Sequence, residues 1–321
     1  MSRPSVSTII PTYNRAHSIG AAIRSVLGQE QAPDEVVVVN DGSTDHTLAV
    51  LEEFGDRIIV IDQANSGVAA ARNAGAMKAT GDWLTFNDSD DLWSDGRMAI
   101  LRADLAQMSA DEVAHISNVR FVGAGSDRQW FDIIGLAGLD DGPKRLDLPL
   151  SHFLHSLFLQ GAAFRRDLFV KLDGFDVSFR TDEDAELGHR FALEGAFVCR
   201  SNVAAIVQRL DGDDQALSFL RRKDPMHYLE LKETQFRRII ARAENADDIK
   251  LAAQAVSSCL RNQAMVLRSE GNLRGALERL ARSAISHPNL AKGSFRALQA
   301  AVRPVDTEPN SKNDFRSKAT P

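Results

Sequence analysis

Val36 to Val39 are four consecutive valines. A β-branched run with no polar alternation suits a parallel strand covered on both faces. A chain with such a strand needs helices to either side of it. The flanking sequence supplies them. Val6–Ile10, Glu35–Val39, Ile58–Ile61 and Trp83–Phe86 read as strands, and Ala16–Leu27, Thr44–Phe54, Val68–Ala79 and Asp95–Met108 as helices. Ile19, Ala22, Ile23 and Val26 show the helical spacing, and Ser43 is placed to cap the second helix. Strand and helix in alternation predict a doubly wound, mostly parallel, Rossmann-like α/β sheet. Such sheets bind ligands beyond the carboxyl ends of their strands. The polar turn-formers gather there, at Pro11–Asn14, Asn40–Asp45, Gln63–Ser66 and Asn87–Asp91.

The pattern changes near Glu112. His115–Val122, Gln129–Ile134, Gly161–Phe164, Ala196–Cys199 and Val203–Gln208 read as strands, and Arg166–Leu172 and Glu183–Glu194 as helices. After Asp213 the spacing is helical throughout: Pro225–Ala243, Asp247–Arg268, Arg274–Ser286 and Leu290–Val302. The expected organisation is an α/β domain over 1–212, made of halves 1–110 and 111–212. A helical region over 213–303 and a polar, disordered tail over 304–321 follow. Lys and Arg number 38 against 44 Asp and Glu, a net charge of −6, which argues against general nucleic-acid binding. Cys199 and Cys259 form no metal-binding or redox motif. No leader or membrane-spanning run is evident, so a cytoplasmic protein is expected, with peripheral attachment at the inner face of the membrane if its acceptor resides there.

Asp88-Ser89-Asp90-Asp91 crowds three carboxylates at one strand end. Hard divalent cations prefer oxygen ligands, and Mg²⁺ often takes one or two carboxylates plus substrate phosphates. The same cluster also reads as a solvated turn before a helix. Asp41, followed by Gly42, reads either as a ligand-binding group or as a turn residue. Arg72 and Asn73 interrupt a small-residue helix and, taken alone, read equally as an exposed polar face.

In order, the chain carries Ile10-Pro11-Thr12-Tyr13-Asn14-Arg15, Asn40-Asp41-Gly42-Ser43-Thr44-Asp45, Asn65-Ser66-Gly67-Val68-Ala69-Ala70-Ala71-Arg72-Asn73 and Asp88-Ser89-Asp90-Asp91-Leu92-Trp93. The set resembles the family 2 glycosyltransferases, most strongly over residues 5–110. The resemblance implies the GT-A fold and inverting transfer of a sugar from a nucleotide-diphosphate donor, commonly UDP-linked, to a hydroxyl of a glycan or lipid-linked acceptor. It implies that Pro11, Thr12 and Tyr13 pack against the nucleotide base, that Asp41 hydrogen-bonds it, and that Arg72 lies near base and diphosphate. Asp88 would contact ribose or sugar, Asp90 would hold Mg²⁺ or Mn²⁺, and Asp91 would support the cluster or reach donor hydroxyls.

Gly174-Phe175-Asp176 and Thr181-Asp182-Glu183-Asp184 resemble the family's later motif, which implies Asp184 as the catalytic base with Asp182 as its rival. Two departures stand out. Ala185 follows the Glu-Asp pair where an aromatic residue is common. Asp211 stands where an Arg-x-His element would place histidine, and is the expected substitute metal ligand. His152 and His155, three apart, lie on the expected acceptor side. A non-catalytic sugar-nucleotide-binding module with a helical interaction region is the alternative. A nucleotidyltransferase ranks below both because Pro11–Arg15 lacks a glycine run. The C-terminal helices offer a surface for homo-oligomer formation.

Overall fold

The computed structural model describes residues 3–123, 126–146, 157–179, 181–208 and 223–286. The strands are β1 (Val6–Thr12), β2 (Glu35–Asp41), β3 (Ile59–Gln63), β4 (Trp83–Phe86), β5 (Leu92–Trp93), β6 (Glu112–Gly123), β7 (Ser126–Gln129), β8 (Lys144–Leu146), β9 (Ala162–Arg165) and β10 (Ala196–Gln208). The helices are α1 (Ile19–Leu27), α2 (Thr47–Glu52), α3 (Val68–Lys78), α4 (Arg97–Leu105), α5 (Trp130–Ile133), α6 (Arg166–Lys171), α7 (Glu183–Ala192), α8 (Pro225–Arg242), α9 (Ala246–Ser269) and α10 (Leu273–Ser286).

One sheet runs β3-β2-β1-β4-β9-β6-β10-β5, with β7 beside β6 and β8 beside β10. β1 to β4 are mutually parallel, β9 is antiparallel to both its neighbours, and β6 and β10 are parallel. This is the expected mostly parallel α/β fold with helices at its C-terminal end. The valine run explains its own position. Val36 and Val38 join the apolar layer containing Ile19, Ile23 and Leu51, whereas Val37 and Val39 pack with Ala71 on the opposite face. The small residues of α3 let it approach the sheet closely. A Cβ added at Gly75 would lie 2.5 Å from Ile9 Cγ2. Phe86 at the end of β4 anchors the other layer, its ring 5.2 Å from Phe175 and 5.9 Å from Phe169 between centroids. Pairs at this spacing add to the burial of large rings.

Several local expectations change. α2 starts at Thr47 after His46, and Ser43 does not cap it. The Ser43 hydroxyl instead accepts the Asn14 N–H at 2.9 Å, while Asp45 accepts from Thr47 N at 2.9 Å. Gln129–Ile134 is a strand end followed by a helical turn, because Asn118 Oδ1 accepts the Phe131 N–H at 3.0 Å and both Trp130 and Phe131 are buried. The two expected strands at 196–208 are one, with register shifts between Arg200 and Ala205.

Contacts divide the chain into two compact units, 1–252 and 253–321. In the first, α8 lies against α7. In the second, Ala264, Ala276 and Leu280 form a small apolar core, and Ser257 and Ser283 exchange buried hydrogen bonds. The expected helix Leu290–Val302 and the expected disordered tail over 304–321 lie outside the described residues. Among the described residues no helix is long and apolar enough to cross a membrane.

Candidate active site

The carboxyl ends of β1, β2 and β4 are locked to one another by side chains from the four motifs. Asn14 has positive φ (51°), and its Oδ1 accepts Thr44 N–H at 2.7 Å, tying the β1 loop to the β2 loop. Asp41 is buried. Its Oδ1 accepts from Gln63 Nε2 (2.8 Å) and Ser66 N (2.9 Å), and its Oδ2 from Gly67 N (2.8 Å), so it fixes the entry to α3. Gly42 is required beside it: its φ is +75°, and a Cβ would stand 2.7 Å from Asn65 N. Tyr13, at the rim, keeps 43% of its surface exposed.

Arg72 is not on an exposed polar face. It is 4% exposed, with Nη2 donating to Asp88 Oδ1 at 2.6 Å and Nη1 to Glu183 Oε1 at 2.5 Å. The Phe175 ring lies 5.6 Å from its guanidinium. Burial alone would depress the Arg72 pKa, but the two carboxylates overcome it and raise it. Asn73, the next residue, exchanges two 2.8 Å bonds with the backbone of Phe175. Gly174 (φ +62°) makes room, since a Cβ there would meet Asn73 Oδ1 at 2.5 Å. α3 is thereby fastened to the segment before α7, although about a hundred residues separate them in sequence.

The acidic cluster splits into two kinds of carboxylate. Asp88 and Asp91 are joined by Gln160, whose Nε2 donates to Asp88 Oδ2 and Asp91 Oδ2 at 2.7 Å each. Asp91 Oδ1 also accepts Gln208 N–H at 3.1 Å. Burial, then the neighbouring Asp88 and Asp90, push the Asp91 carboxyl well above the ordinary carboxylate range. Asp90 is not part of the Gln160 bridge; its side chain is 35% exposed, against 31% for Asp88, with Arg15 Nη2 at 3.4 Å from its Oδ2. Among the described residues no group of three His, Cys, Asp or Glu side chains could hold a metal ion. A single carboxylate such as Asp90 would need donor phosphates and water to complete an oxygen shell for a cation, an arrangement common for Mg²⁺. Asp211, Arg209, His152 and His155 lie outside the described residues.

Asp182, Glu183 and Asp184 open α7. Asp182 takes a left-handed conformation (φ 61°) and lies 3.5 Å from Lys232 Nζ of α8. Glu183 is the partner of Arg72. Asp184, half-buried, accepts only the Ala185 N–H, at 2.7 Å, among the described hydrogen bonds. Burial, then Glu183 and Asp182, push its carboxyl up to about 8. Arg190 anchors the helix by gripping Glu186 and the carbonyls of Leu172 and Gly174.

The structure therefore places Asp88 and Glu183 on the buried Arg72 guanidinium, joins Asp91 to Asp88 through Gln160 and sets Asp184 next to Glu183 at the start of α7, with Asp90, Asp41 and Pro11–Tyr13 on the adjoining strand ends. Gln160, Glu183, Arg15 and Lys232 join them. Gln160 had no motif to announce it. Glu183 belongs to the quoted motif, but only the fold reveals it as the partner of Arg72.

A sequence model described as Glycosyl transferase family 2 matches residues 7–171. An uncharacterised glycosyltransferase of Nostoc sp. is 33% identical over 186 residues, 53% of this chain and 54% of that protein. A PGL/p-HBAD biosynthesis glycosyltransferase of Mycobacterium bovis is 30% identical over 206 residues, 62% of this chain and 74% of that protein. The match spans about half the length of the Nostoc relative. Among solved structures, S. aureus TarS 1–349 with UDP-GlcNAc superposes with a TM-score of 0.66 at 18% identity, covering 92% of this chain and 90% of that one. Pyrobaculum calidifontis mannosyltransferase PcManGT with GDP-Man and Mn²⁺ gives 0.58 at 20% identity, covering 94% and 85%. These two likenesses establish the GT-A type of fold. With the family model covering more than half of its length, the chain belongs to glycosyl transferase family 2.

Proposed function

We propose that the chain is an inverting glycosyltransferase that moves a sugar from a nucleotide-diphosphate donor, UDP-linked, to a hydroxyl of a glycan or lipid-linked acceptor. The observation that carries this reading is the Asp88–Arg72–Glu183 bridge, which couples the strand-end cluster to the helix holding Asp184. The nucleotide-sugar complexes of the fold neighbours are consistent with a donor at these strand ends.

In this reading Pro11, Thr12 and the exposed ring of Tyr13 flank the nucleotide base. Asp41 Oδ2, with one bond accepted, keeps a lone pair for a base N–H. Asp88 and Asp91, held together by Gln160, receive ribose and sugar hydroxyls. Asp90 would hold a divalent cation, Mg²⁺ or Mn²⁺, with Asp211 as a further ligand, and such a cation would supply neutralisation of the departing diphosphate. Arg72, whose guanidinium is shared by Asp88 and Glu183, holds both carboxylates in place so that the cluster need not reorganise during the reaction.

Asp184 takes the proton of the acceptor hydroxyl. The acceptor oxygen forms its bond to the anomeric carbon from the face opposite the diphosphate. The sugar–phosphate bond breaks with its electron pair leaving on the diphosphate, so the anomeric configuration inverts. A carboxylate whose pKa is about 8 is a stronger proton acceptor than an ordinary one, and it stands close to operating pH. A thermal-shift screen of nucleotide sugars with and without Mn²⁺ tests the donor assignment. Metal-dependent stabilisation by one nucleotide sugar is expected, and no stabilisation by any donor across the panel refutes it.

A further inference from the structure

α8 lies outside the segment matched by the family model, yet it faces the start of α7 with an unusual set of side chains. Lys232, Gln235 and Arg238 recur at three-residue spacing and so share one helical face. Lys232 Nζ lies 3.5 Å from Asp182 Oδ1, with the two side chains 6% and 3% exposed. Gln235 Nε2 lies 2.9 Å from His189 Nδ1, and Arg238 pairs with Asp176. A buried lysine is costly unless it is paired, because its ammonium gives up hydration. The fold nonetheless places one against the first of three consecutive carboxylates.

Those carboxylates are compensated from opposite sides. Arg72 of α3, with Asp88 behind it, takes Glu183. Lys232 of α8 takes Asp182. Asp184 is the one of the three without an ion-pair partner among the described residues. We propose that Lys232 is a positioning residue for the base: its pairing holds Asp182 in the left-handed turn that opens α7 and offsets that carboxylate's charge, leaving Asp184 as the one of the three carboxylates with no ion-pair partner among the described residues. The inference rests on the assignment of Asp184 as base and extends the working site to a helix beyond residue 212.

The left-handed backbone supports this. A non-glycine residue at φ 61° is strained and persists only where surrounding contacts hold it. One contact on Asp182 is a charge pair in a water-poor setting, where attraction is strongest. The charged groups acting on Asp184 are Glu183 and Asp182 from its own segment and Arg72 from α3, with Lys232 of α8 acting through its pairing with Asp182. Removing the last leaves a net negative charge beside the base.

The test compares Lys232→Met and Lys232→Arg with the parent enzyme in steady-state transfer across pH 5.5–9.5, with donor affinity measured by calorimetry. Lys232→Met is expected to keep donor affinity within about threefold and to lower kcat about tenfold, with the acid limb of the kcat profile moved to higher pH. Lys232→Arg, which keeps the charge, is expected to restore the limb. Should Lys232→Met fail to fold, Lys232→Gln, neutral and polar, carries the same expectation. A neutral variant with reduced melting temperature but parental kcat and an unmoved limb makes Lys232 a packing residue and overturns the proposal. Full transfer by Asp184→Asn in the same assay would instead defeat the assignment of the base, independently of Lys232.

Discussion

Asp184→Asn is expected to make the protein more stable, by an amount that depends on pH. The carboxyl titrates at about 8 in the folded chain and at an ordinary 3.8 when unfolded, with burial the main cause, followed by Glu183 and Asp182. The raised value means that the folded state binds the proton more tightly. Stability is therefore greatest below the unfolded pKa and falls as pH rises from about 4 to about 8, where it levels off. One pH unit across that window converts to about 1.36 kcal/mol, which sets a ceiling of about 4 kcal/mol at pH 7. Asp184 is half-buried, so water reaching the carboxylate reduces the realised gain to about 2 kcal/mol. Asparagine has the same shape, and its Oδ1 still accepts the Ala185 N–H, so no new cavity or orphaned donor offsets the gain. Urea unfolding of both proteins at pH 5, 6, 7, 8 and 9 measures it. The difference should grow with pH and then flatten, with a melting-temperature gain of about 4–8 °C at neutral pH. A difference that is constant across the series, or a variant less stable at pH 8, refutes the electrostatic reasoning.

Other expectations follow from the same contacts. Arg72→Met leaves Asp88 and Glu183 without their shared cation and should cost about 3–5 kcal/mol in denaturant unfolding. Adding Glu183→Gln should recover part of that loss, and strict additivity in the cycle would argue against direct coupling. Gln160→Leu removes the amide that bridges Asp88 and Asp91 and should cost about 1.5–3 kcal/mol, with weaker donor binding by calorimetry. Gly161→Ala would put a Cβ 2.3 Å from the Ser117 carbonyl oxygen, a backbone atom on β6. A loss of about 1–3 kcal/mol by thermal unfolding is expected.

The strand-end part of the candidate site was legible because it is written in short runs. The four valines demanded a strand covered on both faces, and the alternation of Val36 and Val38 against Val37 and Val39 is how the fold satisfies them. Asp41, Arg72 and Asp88 stood in motifs whose order placed them together. Ser43 misled because a serine before a helical run is a good cap by local rules, whereas here its hydroxyl is committed across the sheet to Asn14. Gln160 and Lys232 were not legible for a related reason. Neither has a local signature, and each acquires its partners through contacts spanning dozens of residues, 72 in the case of Gln160 and Asp88. Arg72 alone read equally as surface decoration, and only the fold shows it buried between two carboxylates.

The proposed reaction rests on a division of labour, in which the strand-end cluster binds the donor while Asp184 accepts the acceptor's proton. It is tested most directly by measuring donor affinity and transfer side by side in Asp184→Asn, with the nucleotide sugar and cation identified by the thermal-shift screen. Donor affinity is expected within about threefold of the parent, with transfer reduced by at least about 10²-fold, the scale of a lost general base. Parental transfer rates with donor affinity intact would contradict it.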